Sequence, residues 1–112
     1  MSFRSMIIPP HGDIRIETAE VDPAEINLHI HDVIGDFFRT RPIGQPIAGL
    51  APVMYFSDSG KGPMNARAST LNQNAGGVSP IYGTALITAL DESRNQVPLT
   101  DELIAAFGLK LP

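Results

Sequence analysis

The sequence predicts an α+β fold in a single domain spanning residues 1–112. The expected architecture is a small, mostly antiparallel sheet in the element order β-β-α-β-β-α-β-α, packed by one main amphipathic helix and short helices. Three observations predict it. Apolar runs of strand length recur along the chain, some of them alternating with period two. Ten glycines and ten prolines in 112 residues impose short elements and many turns, not a helical bundle. Strands and helices are mixed through a small, tightly turned chain, which argues for antiparallel pairing.

Taken in order, Ser5-Met6-Ile7-Ile8 is a short apolar strand stopped by Pro9-Pro10. Ile14 to Thr18 alternates apolar and polar, as a strand with one buried face does. A turn at His11 to Asp13 joins the two into a hairpin. Asp22-Pro23-Ala24-Glu25 opens a helix: Asp22 caps, Pro23 suits the first helical position and Glu25 completes a capping box. Ile26, Ile30, Val33, Ile34 and Phe37 recur at helical spacing, and Gly35 ends the helix. Phe37 to Arg41 is the next strand, Ile43 to Pro52 a loop, and Val53 to Phe56 a strand turning at Ser57 to Gly62. Pro63 to Gln73 forms a short helix, Asn74 to Gly77 a loop, and Ile81 to Leu90 the central strand. Asp91 to Gln96 is polar and turn-like. Thr100 caps a last helix, with Asp101 and Glu102 at its positive end, Leu103, Ile104 and Phe107 on its apolar face and Gly108 as its stop.

Composition excludes several classes of function. The chain has no cysteine, so neither a disulfide framework nor a thiolate metal site exists. His29 and His31 lie two apart on a helix and do not share a face, and with His11 they make no metal-ligand pattern. No apolar run approaches the ~20 residues of a membrane span, and no signal peptide is indicated. A soluble, cytoplasmic protein is expected. The net charge is −4 with few aromatic residues, a poor match to phosphate-dominated nucleic-acid binding. Exposed sheet edges make a homo-oligomer an expectation.

The charge is nevertheless uneven. Residues 1–36 carry two arginines against seven acids, a net −5, and residues 91–112 a net −2. Residues 37–90 carry Arg39, Arg41, Lys61 and Arg67 against Asp58 alone, a net +3. At the centre of this basic block, Ser57-Asp58-Ser59-Gly60-Lys61-Gly62 leads into the short helix. The full Gly-x-x-x-x-Gly-Lys-Ser/Thr phosphate loop is absent. Glycines ahead of a helix N-terminus can still offer free N–H groups to an anion, with Lys61 and Arg67 adding charge. The same residues also have structural roles open to them. Asp58 and Ser59 can bond their own backbone, Asn65 can cap the helix and Arg67 can form an ion pair. No Gly-x-Ser-x-Gly elbow is present. Asp36 and Asp58 could meet in the fold, but the spacing does not pair them, so no catalytic residues and no cofactor are assigned.

The order of short motifs resembles a known family. It comprises Ile7-Ile8-Pro9 with Gly12 in the following turn, Gly35 before Phe37-Phe38, and Met54-Tyr55 before Ser57-Asp58-Ser59-Gly60-Lys61. Asn65-Ala66-Arg67-Ala68-Ser69, Ile81-Tyr82-Gly83-Thr84-Ala85-Leu86-Ile87 and Leu99-Thr100-Asp101-Glu102 follow. This is similar to a family of small uncharacterised proteins, a domain of unknown function, from bacteriophages, plasmids and actinobacteria. There the middle motif runs Asn-Pro-Arg-Ala-Thr. Here Ala66 stands for the proline and Ser69 for the threonine, and Thr84 replaces an acid or amide. The resemblance implies an α+β fold and a mobile-element origin, and brings no established activity. The expected function is a non-enzymatic binding protein of phage or mobile-element type, with counter-defence by sequestering an anionic small molecule such as a nucleotide. Its expected ligand-binding residues are Lys61, Asn65, Arg67, Arg39 and Arg41. The alternatives are a protein–protein inhibitor or adaptor of a host protein, acting through the acidic helix or the Ile43–Pro52 loop, and a small enzyme acting on nucleotides.

Overall fold

A computed structural model of the chain describes residues 1–107. It is an α+β fold built on a six-stranded, wholly antiparallel sheet. The strands are β1 (Ser2–Ile8), β2 (Arg15–Glu20), β3 (Phe38–Pro42), β4 (Ala51–Ser57), β5 (Ala85–Leu90) and β6 (Gln96–Val97). Helices α1 (Ile26–Ile34), α2 (Ala66–Asn74) and α3 (Asp101–Ala106) complete the fold. The sheet order is β2-β1-β5-β4-β3, with β6 paired to the end of β5 beside β1.

The central strand β5 reads Ala-Leu-Ile-Thr-Ala-Leu, an apolar run because both faces of the sheet are covered there. Leu86 and Leu90 face α1, together with Phe3 and Ile7 of β1 and Val53 and Tyr55 of β4. Ala85, Ile87 and Ala89 face α2 and α3, together with Met6, Ile8 and Met54. Ala68 of α2 is fully buried in the same cluster as Ala85 and Ala89. Ile26 and Ile30 anchor α1, and Val33 and Ile34 pack at its edge. Gly35 ends that helix at φ 78°, its N–H bonded to the His31 carbonyl at 2.8 Å.

Beyond shifts of element ends, such as α2 starting at Ala66 and β4 at Ala51, four details depart from the sequence reading. Asp22 caps a 3-10 turn, Pro23–Glu25, which leads into α1 without a capping box. Phe37 lies outside both the helical stripe and the strand and is 75% exposed, with its ring edge-on to His31. The central strand begins at Ala85, not Ile81, because Gly83 adopts φ 75° and breaks the run. The turn from Asp91 closes into β6, which pairs Ala89 with Val97 and Leu90 with Gln96. Gly108, expected to stop α3, lies outside the described residues. Among the described residues no helix is long and apolar enough to cross a membrane.

Candidate functional site

The basic block gathers at one end of the sheet, where β1 and β4 end and β3 and β5 begin. Gly35 turns the chain so that Asp36 lies beneath the loop leaving β4. The Asp36 carboxylate is only 8% exposed. It accepts hydrogen bonds from Ser57 Oγ at 2.7 Å, from the Ser59 amide at 3.3 Å and from Ser59 Oγ. Ser57 Oγ in turn accepts from the Lys61 amide at 3.1 Å, and the Asp58 amide bonds the Phe37 carbonyl at 2.9 Å. Hydrogen bonds from Ser59 and Ser57 hold the Asp36 carboxyl well below its ordinary pKa, against the opposing effect of burial. Lys61 Nζ stands 3.9 Å from the same carboxylate.

This geometry changes what the glycine-rich loop can bind. Its Asp58, Ser59 and Lys61 amides point inward, and the anion at its centre is the chain's own Asp36. Asp58 and Ser59 therefore do not simply close a turn on their own backbone, as one reading of the sequence allowed.

Asn65 and Arg67 occupy the same end of the sheet in structural positions. Asn65 is completely buried. Its Oδ1 caps α2 by accepting from the Ala68 amide at 3.1 Å, and its Nδ2 donates to the Ile8 and Gly83 carbonyls at 2.8 and 2.9 Å. Arg67 Nη2 donates to the Pro9 carbonyl at 2.7 Å, clasping the turn after β1 to α2 in place of the expected ion pair. Arg39 Nε lies 3.4 Å from Asp58 Oδ1. Arg41 stands two residues further along β3. Both arginines project on the face of Met54 and Phe56, the face of the sheet that carries α2 and α3. Lys61, Asn65, Arg67 and Arg39 are thus brought to one end of the molecule, each with an internal partner, and Arg41 lies apart.

A cleft lies on the opposite face. Because α1 lies over β4 and β5 but stops short of the β3 edge, an open cleft of about 590 Å³ remains between the start of α1, strands β3 and β4 and the β5–β6 turn. That volume is within the range of small-molecule sites. Ile26, Val53 and Leu90 supply apolar wall, while Thr40, Asn27 and Asn95 add polar groups. At the cleft Gln96 Nε2 donates to Asn27 Oδ1 at 2.8 Å and to Tyr55 Oη at 3.0 Å. Arg94 lines the cleft from the β5–β6 turn, held at φ 66° with its amide bonded to the Asp91 carbonyl at 2.9 Å. Among the described residues no carboxylate lies within ion-pairing distance of it.

Sequence reasoning missed Tyr55, Gln96, Asn27 and Arg94. The usable signal was Tyr55, a hydroxyl placed in an apolar strand, since a buried tyrosine hydroxyl needs a polar partner. Nothing local marked Arg94, whose importance depends on a turn folding back onto a strand edge. Among the described residues no group of three or more histidine or acidic side chains is placed to hold a metal ion. No family model, curated protein or solved structure matches the chain.

Proposed function

We propose that this protein is a non-enzymatic binding protein that sequesters a small anionic molecule, such as a nucleotide, in the cleft beside α1. The observation that carries the reading is Arg94, without an ion-pair partner among the described residues, on the rim of a cleft of about 590 Å³ with mixed polar and apolar walls. A guanidinium forms charge-assisted hydrogen bonds with carboxylates and phosphates, often bidentate ones. The apolar wall gives the uncharged body of the ligand a surface to bury. Lys61, Arg67 and Arg39 are engaged by the fold, so they contribute positive field at the far end of the sheet and not direct contacts. Sequestration needs no catalytic group, which suits a counter-defence role in a mobile element.

Isothermal titration with mono-, di- and cyclic nucleotides tests the reading. Saturable binding of at least one anion is expected, with Arg94→Glu raising Kd at least tenfold and Lys61→Glu changing it little. Absence of binding at high protein concentration retires the proposal. Consumption of a nucleotide during the titration replaces it with an enzymatic function.

A further inference from the structure

We infer that Tyr55 is a ligand-contacting residue of the same cleft, donating its hydroxyl proton to an oxyanion of the bound molecule. The inference rests on the reading of the cleft as a ligand site and adds the chemistry that site selects. Tyr55 sits on β4 opposite Thr40 of β3 and Leu86 of β5 and is only 2% exposed. Its ring is held edge-on against Phe38, with centroids 5.2 Å apart and planes at 79°, so its position is fixed before anything binds.

A tyrosine hydroxyl both accepts and donates hydrogen bonds. Its accepting role is filled by Gln96 Nε2 at 3.0 Å. Among the described residues its proton finds no acceptor. The ring lines the cleft, so a molecule there can supply the missing acceptor. Gln96 is held in place by its pairing with Leu90 and uses Nε2 to bridge Tyr55 and Asn27, which orients the network.

Arg94, in the turn before β6, precedes Gln96 by two residues. The cleft therefore offers a neutral hydroxyl donor within and a guanidinium at its rim, beside the apolar surface of Ile26, Val53 and Leu90. This combination fits a compact molecule with an apolar or ring-shaped body and a terminal carboxylate or phosphate. A hydroxyl donor and a guanidinium disfavour a cationic ligand or a metal ion.

The test compares wild type and Tyr55→Phe using adenosine monophosphate, phenylacetate and uncharged adenosine. Adenosine monophosphate and phenylacetate separate phosphate from carboxylate as the source of the oxyanion. For whichever oxyanion wild type binds, Tyr55→Phe should raise Kd about tenfold, the loss of one hydrogen bond to a charged group. Adenosine affinity should not change. In wild type labelled at the tyrosine Cζ, the same probe should shift the Tyr55 resonance, a readout that does not depend on the variant folding. An unmoved resonance or an unchanged Tyr55→Phe affinity, with wild type still binding, overturns the role of Tyr55 and leaves the cleft as a binding site. That is also the outcome if both amides are reversed, so that Tyr55 already donates to Gln96. Failure of wild type to bind either oxyanion overturns both the inference and the proposed function.

Discussion

Asp36 determines what the loop after β4 can do. A carboxylate enclosed by Ser57 and Ser59 fills the place where a phosphate would sit in a nucleotide-binding loop. Its carboxyl is held below the ordinary value, so in the folded protein the charged form is favoured. The resulting stabilisation is fully present above the unfolded-state pKa of about 4 and is lost as pH falls through the lower folded-state value. Asp36→Asn should therefore be less stable than wild type near neutral pH, and the difference should narrow as the pH drops below about 4. Urea unfolding across this range measures it, and a difference independent of pH would disprove the linkage. At this scale the sequence was half legible. Asn65 was readable as a cap because an amide before Ala66-Arg67-Ala68 has a local target, the Ala68 amide. Its bonds to Ile8 and Gly83, and the clasp of Arg67 on Pro9, join residues far apart in sequence and leave no local pattern.

Among the elements, strands and helices with local signals were legible, and those defined by backbone partners were not. The β1–β2 hairpin follows from alternation, and its register pairs Met6 with Ile16. Helix α1 follows from its apolar stripe and from Gly35. The run from Ile81 to Leu90, by contrast, reads as one strand but divides at Gly83. The Gly83 amide donates to the Pro63 carbonyl at 2.8 Å and the Asn65 amide to the Ile81 carbonyl at 2.7 Å, so residues 63–65 zip onto residues 81–83. A methyl group at Gly83 would stand 2.6 Å from the Lys61 carbonyl oxygen, at φ 75°. Gly83→Ala should destabilise the protein by about 1–3 kcal/mol, through backbone strain and this clash. Gly12 has a similar φ of 89° but open space around it, so Gly12→Ala should cost less. Equal losses in urea unfolding would mean that φ alone matters and that the contact with Lys61 does not. Strand β6 was hidden for a related reason: two residues within a polar turn carry no periodicity, and only the exposed edge of β5 makes them a strand.

At the level of the whole molecule, the sheet ends at β2 and β3, and the charges at those edges should govern self-association. Arg39 and Arg41 occupy alternate positions of β3, on the same face. Two copies pairing antiparallel through β3, centred on Thr40, would set Arg39 of each against Arg41 of the other, a repulsive arrangement on an otherwise available edge. The sequence revealed the arginines, but only the strand order shows that they lie on an edge strand. At low ionic strength the chain should remain monomeric with respect to this edge. Replacing both residues with threonine keeps strand propensity and removes the repulsion, so the Arg39→Thr, Arg41→Thr double variant should form a dimer. Added salt should push wild type weakly in the same direction, because exposed charges are screened beyond about 8 Å at physiological ionic strength. Sedimentation equilibrium of both proteins at two salt concentrations decides the matter. A wild-type dimer unaffected by salt, or a double variant that stays monomeric, would show that the arginines do not control the edge. The same β3 edge borders the cleft through Phe38, Thr40 and Pro42, whose side chains face α1 while the two arginines face away. Substituting the arginines should therefore alter assembly without removing the donors supplied by Tyr55 and Arg94.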